Sequence, residues 1–299
     1  MRHRRIADRM VAACVGLALL ATGCANGSAG TGSAATGNVQ LDQQLHDRLP
    51  AAIRERGVIR LATDPSYAPM ESYARDGRTI VGFEPDLAAA FGSVLGVRAE
   101  MVAADFAAAL DGARNGTYDG VLSAMTDTAE REKKADFVNY FAAGTSIVVQ
   151  RGNPHGITDL KDLCGQMVAV ETATVQVDLL HRAQSRCSTR PIAVRTYKTN
   201  ADALLQLRTG RAVAVLNDTP PAAHLIADQQ TKANYQLASN VQYEPGLYGI
   251  AVAKGNTELP NALRDALERL IRSGAYAELL QRWGLTTGAV ASSTVNAGA

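Results

Sequence analysis

The chain has 299 residues, with 30 Lys plus Arg against 29 Asp plus Glu and a formal charge of +1 at pH 7. That balance excludes the strongly basic surface needed to hold nucleic acid by its phosphates. Apolar residues make up 46% of the chain, enough for a sizeable core, and its four cysteines and five histidines form no Cys-x-x-Cys pair and no cluster with metal-ligand spacing, so neither metal nor cofactor is expected.

The first element in the chain is not part of the fold. Arg2, Arg4, Arg5 and Arg9 precede the short apolar run "VAACVGLALLAT", and "GC" follows. A basic stretch, a short apolar stretch and a small residue before cysteine read as an export signal over residues 1–23. "LATGC" looks like a lipobox with Cys24 as the lipidated residue; a plain signal peptide with a chance cysteine is the alternative. Residues 24–45, opening on "ANGSAGTGSAATGN", read as a tether too polar and small to build a core. Removing the signal takes four of the 30 basic and one of the 29 acidic residues, leaving 26 and 28 and a net charge of −2. Export also leaves Cys164 and Cys187 in oxidising conditions, which favour a disulfide over two buried thiols.

From about residue 58 onward, short apolar runs alternate with amphipathic stretches. "VIRLAT", "TIVGF", "VRAEMV", "DGVLSAM", "TSIVVQ", "QMVAVE", "PIAVRTY", "AVAVLN" and "YGIAVA" read as strands. "PDLAAAFGSVL", "FAAALDGARNG", "AEREKKADF", "TVQVDLLHRAQS", "NADALLQLRTG", "PPAAHLIADQ" and the long stretch from Glu258 to Gly284 read as helices. This alternation predicts an α/β fold with mainly parallel sheets. Two breaks, "QRGNPHGITDLKDL" and "YEPGLYGIAVAKGN", suggest that the chain leaves one domain, builds a second and returns.

With the elements in this order, the chain resembles the extracytoplasmic solute-binding proteins of ABC importers for polar amino acids. "RLATDPSYAPM", "GFEPDLAAAFG", "DGVLSAMTDTAEREKKADF", "DLCGQMVAVETATVQ", "ALLQLRTGRAVAVLNDTPPAAHLI" and "YAELLQRWG" carry the resemblance, which runs from about Val58 to Gly284. It implies a two-lobed periplasmic-binding-protein-like fold of type II, each lobe a mainly parallel sheet flanked by helices, joined by two crossover strands. Lobe 1 is expected over 46–149 and 247–287, lobe 2 over 150–246, and a C-terminal tail over 288–299. The expected function is capture of a polar or cationic amino acid between the lobes and delivery to a membrane permease and its ATPase. A monomer, held by lipid on Cys24 to the outer face of the cytoplasmic membrane, is expected.

An α-amino acid carries two charges, and a dry cleft must pair both. Carboxylates favour arginine, hydroxyls and backbone amides, whereas an ammonium favours a carboxylate. From the residues alone, Arg131 reads as a solvated helix arginine beside Glu130 and Glu132, and Asp218 as a helix cap after "AVAVLN". The resemblance implies instead that Arg131, with Thr126 and the adjoining Ser123 and Ala124, holds the ligand carboxylate. It implies that Asp218, beside Asn217, takes the ammonium. "ETATVQ" supplies Glu171, Thr174 and Gln176 from the second lobe, but Ala173 stands where the family commonly has glycine and Val175 where it commonly has threonine. Tyr67 and Phe106 are the aromatic candidates against the ligand side chain; Phe106 also reads as ordinary core. Asp64, Glu84 and Glu171 exceed what one ammonium needs, which favours a polar or cationic side chain. An enzyme on the same fold, a small cyclic-acid dehydratase or lyase using Glu171 as general acid or base, is the competing expectation. A ligand-sensing module is a third.

Overall fold

The computed structural model describes residues 39–255 and 257–298. The signal, Cys24 and the tether to residue 38 lie outside them. The chain is already packed where the tether was expected to end: Asp42 accepts from the amides of Gln44 and Leu45, caps α1 (Gln43–Asp47) and buries Leu45. Helix α2 (Ala51–Arg56) then ends on Gly57 at φ 66°, the left-handed C-terminal turn that glycine allows.

Strand β1 (Val58–Thr63) is followed by a small antiparallel sheet, β2 (Ser66–Tyr67), β3 (Glu71–Tyr73) and β4 (Ile80–Val81), of which the sequence patterning revealed only β4, within "TIVGF". Next come α3 (Phe83–Leu95), β5 (Arg98–Ala103), α4 (Phe106–Arg114) and β6 (Gly120–Val121). Strand β1 pairs in parallel with β5 and β6. The expected strand over "DGVLSAM" stops at Val121 because Ala124 turns to φ 44° and its amide is taken by the Glu84 carboxylate at 2.7 Å. The expected helix over "AEREKKADF" is one turn, α5 (Ala129–Glu132), capped by Thr128, whose hydroxyl accepts from the Arg131 amide. It ends there because Ala135, Phe137 and Val138 belong to the core as strand residues.

That strand, β7 (Ala135–Gln150), spans sixteen residues and pairs antiparallel with β12 (Tyr243–Ala253) along most of its length. Between them the chain forms β8 (Met167–Glu171), α6 (Val175–Gln184), β9 (Ala193–Tyr197), α7 (Asn200–Arg208), β10 (Ala214–Asp218), α8 (Thr219–Ala227) and β11 (Tyr235–Leu237). Strands β10, β8 and β9 are mutually parallel, and β10 joins β7 in antiparallel register. One continuous path, β5-β1-β6-β12-β7-β10-β8-β9, therefore carries two parallel segments on either side of an antiparallel seam. Helices α9 (Glu258–Ser273) and α10 (Ala275–Trp283) follow, and β13 (Thr294–Val295) returns to β7.

Buried apolar residues sort along the same seam. Leu61, Phe83, Phe91, Tyr140, Tyr248 and Leu267 share one core, while Ile147, Leu163, Val168, Leu180 and Leu216 share another. The second core is stapled by the Cys164–Cys187 disulfide, with Cα atoms 5.5 Å apart. It closes a loop with a sequence separation of 23. Replacing both cysteines by serine is expected to lower stability by roughly 3 kcal/mol, the chain-entropy value for a loop of this length. Denaturant unfolding of parent and variant will check this.

Candidate functional site

A narrow cavity lies where β1, β2, α4, the loop after β6, the start of α6 and the end of β10 converge. At one end, the short α5 turns Arg131 back over its own loop. Its Nη1 donates to the Thr126 carbonyl at 2.7 Å and its Nη2 to the Ala173 carbonyl at 2.8 Å, on the far side of the cavity. The guanidinium carbon lies 5.6 Å from the centroid of the Phe106 ring, within cation–π range. Burial draws the Arg131 pKa down to about 10, opposed by Asp178, Asp218 and Asp127, so the side chain stays cationic at neutral pH.

Ala173 itself sits at φ 61°, in the left-handed region that disfavours a side chain with Cβ. Ala173→Gly is expected to raise stability by up to about 1 kcal/mol, the relief of strain exceeding the added freedom of the unfolded chain. Thermal unfolding will show the sign; a lower Tm would mean that the Cβ is favourably packed.

Asp218 is a second charged group of the lining. It is the last residue of β10 and precedes α8, with Pro220 and Pro221 in the first turn of that helix. Its carboxylate accepts from the Tyr67 hydroxyl at 3.0 Å and from Gln176 Nε2 at 2.7 Å, while its amide donates back to the Tyr67 oxygen at 2.9 Å. Burial pushes its pKa up to about 6, a rise limited by nearby hydroxyl and amide donors and by Arg131. The Tyr248 hydroxyl lies near this carboxylate without a well-aligned partner.

The cavity also holds Asp64, Glu71 and Glu171. The Asp64 amide donates to Ser123 Oγ at 2.9 Å, and that hydroxyl donates to Glu71 Oε1 at 3.1 Å. Glu171 Oε1 is buried without a hydrogen-bond partner, whereas the Glu71 carboxyl pairs with that of Glu84 through a shared proton. Burial raises the Asp64 pKa, and raises Glu71 well above the usual carboxylate range with help from Glu84. Glu171 is pushed up to about 9, first by burial and then by repulsion from Asp64 and Asp218. Thr174 precedes α6 but donates its hydroxyl to the Glu171 carbonyl at 2.8 Å, so its side chain fixes the loop.

Eleven of the thirteen candidate residues read from the sequence line this cavity: Asp64, Tyr67, Phe106, Ser123, Ala124, Thr126, Arg131, Glu171, Thr174, Gln176 and Asp218. Glu84 does not. It is fully buried in the first turn of α3, beneath the floor, where it accepts from Ala124 N and the Tyr140 hydroxyl. Asn217 is also absent from the lining, since successive strand side chains point to opposite faces and Asp218 takes the inner one. Val175, named from the sequence only as a departure in the second-lobe loop, and Glu71, unforeseen, also line the cavity. Glu71 sits on a short strand before the charged turn "RDGR" and looks like a surface residue in sequence. Its neighbour Gly82 hints at its placement only in three dimensions, where a Cβ would lie 2.2 Å from the Met70 carbonyl oxygen.

The model of the bacterial extracellular solute-binding proteins, family 3, matches residues 59–286. The chain belongs to this family. Family 3 solute-binding proteins are extracytoplasmic, and among the described residues no helix is long and apolar enough to cross a membrane. A relative in the family, the arginine-binding protein ArgT of Corynebacterium glutamicum, is 28% identical over 85% of this chain and 83% of its own. An ancestral arginine-binding protein bound to glutamine superposes with a TM-score of 0.71 at 32% identity, covering 77% of this chain and 99% of that one. The ancestral amino acid-binding protein AncCDT-1, described as a precursor of cyclohexadienyl dehydratase, gives 0.69 at 31% identity over 78% and 97% of the two chains. The architecture is thus the two-lobed α/β fold of this family, and its named homologues are amino-acid-binding proteins.

Proposed function

We propose that this family 3 protein captures a cationic L-amino acid between two lobes and presents it to an ABC permease and its ATPase. The lobes are inferred to span 46–149 with 247–287, and 150–246. One observation carries the reading: a single cavity brings Arg131 together with four carboxyl groups, Asp64, Glu71, Glu171 and Asp218. Arg131 with Thr126 suits the ligand carboxylate, and Asp218, oriented by Tyr67 and Gln176, suits the ammonium. Three acids then remain for the side chain. Of these, Glu171 carries a buried oxygen without a donor, which a guanidinium or a second ammonium would supply. Relatives described as arginine-binding support this class.

We infer further that lipid on Cys24 keeps a monomeric protein at the outer face of the cytoplasmic membrane. Calorimetry across the common amino acids tests the site. Saturable binding of arginine, lysine or ornithine is expected. Tight binding of aspartate or glutamate, with none of a basic or amide ligand, would overturn the assignment.

A second reading has one observation in its favour. Glu171, kept protonated at neutral pH, could serve as a general acid, and one structural neighbour is described as the precursor of a dehydratase. Turnover of a cyclic acid, followed by product chromatography, separates it from simple binding.

A further inference from the structure

The family match ends at residue 286, yet the chain continues with ordered structure to residue 298. This last segment does not hang free. Val290 N donates to the Tyr276 hydroxyl, which in turn donates to the Tyr140 carbonyl at 2.6 Å. Strand β13 then pairs Thr294 with Asn139 and Val295 with Val138 of β7. Asn296 exchanges two hydrogen bonds with Phe137: its Oδ1 accepts from the Phe137 amide at 2.8 Å, and its own amide donates to the Phe137 carbonyl at 2.9 Å.

Beyond β13 the segment reaches the loop that carries Arg131. The Gly298 amide donates to Asp127 Oδ2 at 3.0 Å and to Glu132 Oε1 at 3.2 Å. One N–H thus ties together carboxylates on both sides of Arg131. The buried Asn139 completes the link. Its Oδ1 accepts from Thr294 Oγ1 at 2.8 Å and from Ala297 N, while its Nδ2 donates to the same Asp127 Oδ2 at 2.9 Å. Asp127 and Glu132 repel each other when both are ionised, so without the strap the loop loses both a donor and the contact that holds the two acids together. The approach leaves no spare room, since a Cβ on residue 298 would lie 2.5 Å from the Asp127 carbonyl carbon.

We propose that residues 293–298 form a strap that positions the Thr126–Arg131 loop, with Thr294, Asn296 and Gly298 as positioning residues for the ligand-carboxylate end of the site. The role in ligand affinity rests on the proposed amino-acid site; the ordering of the loop does not. The opposite side of the loop is fixed by β12, where Asp127 N donates to the Leu247 carbonyl at 2.7 Å, so the strap completes a clamp that β12 begins.

The experiment compares the full chain, a chain ending after Ser292, and the Gly298→Val variant, which wedges a side chain under the strap without removing β13. Hydrogen exchange of ligand-free protein is read at amides 126–132, and L-arginine is titrated as the probe. At least tenfold faster exchange at those amides, with α9 and β8 unchanged, and an arginine Kd weakened about tenfold are expected in the truncated chain. Gly298→Val should shift both in the same direction. Unchanged exchange at 126–132 in both variants overturns the proposal, as does a uniform rise across all elements, which would mark the segment as general stabilisation. If the full chain binds no arginine, the reading of the site fails, while the exchange measurement still decides the strap.

Discussion

Arg131→Ala is expected to weaken amino-acid binding by roughly 2–5 kcal/mol, the cost of leaving a buried charge unpaired. The ligand carboxylate would then face the Thr126 hydroxyl and backbone amides alone. The loss should be measurable by calorimetry as a fall in affinity of at least about thirtyfold, with circular dichroism at 25 °C unchanged. The variant also releases the Thr126 and Ala173 carbonyls, which Arg131 links across the cavity. Arg131→Lys should recover little, because an ammonium cannot reach both carbonyls and a carboxylate with a planar fork. Affinity equal to the parent in Arg131→Ala would mean that the ligand carboxylate lies elsewhere.

Glu171 carries the second large effect, and its sign depends on whether ligand is present. With its pKa pushed up to about 9, this side chain is protonated in the ligand-free protein at pH 7. A cation in the cavity favours the carboxylate, so binding must release a proton. Affinity for L-arginine should therefore rise with pH, roughly tenfold between pH 7 and pH 8. Calorimetry in buffers of different ionisation enthalpy should show about one proton released per ligand. In the ligand-free protein the dependence runs the other way. The folded pKa exceeds the unfolded one, so the folded state binds more protons between pH 4.5 and 9. Stability is then greatest below pH 4.5 as far as this group is concerned, and falls as pH rises toward 9. Glu171→Gln should flatten both dependences, stabilise the ligand-free protein at pH 8 and weaken arginine binding there. A pH-independent affinity in the parent would show that Glu171 does not face the bound cation.

Much of this architecture was legible in the order of the elements. The alternation of short apolar runs with amphipathic stretches marked the parallel segments, and the break near residue 151 fell at the end of β7, whereas the one expected near residue 243 lies within β12 as a register shift between Tyr243 and Gly246. Arg131 and Asp218 were legible only through motif order, because each on its own looks like an ordinary helix-terminal charge. Three features lay beyond the pattern. The helix at residue 129 stops after one turn because tertiary pairing claims Ala135 onward for β7, which overrides a run of good helix formers. Glu71 enters the cavity from a two-turn hairpin whose flanking charges look solvated. Glu84 and Asn217 carry the residue type that the chemistry wanted, but a helix turn and a strand's alternation send one to the floor and the other to the reverse face.

The long antiparallel pair of β7 and β12 also sets an order of completion. Every fully buried residue of the core built on Ile147, Leu163 and Leu216 precedes β12 in the chain. The other core begins earlier, at Leu45, but includes Tyr248, Leu267 and Leu280, so it must wait for them. Synthesised from its N-terminus, the polypeptide can finish the core around Ile147 while the other still lacks its last strand and two helices. The half that is started first is therefore finished last, and the cavity between them is the final thing to take shape.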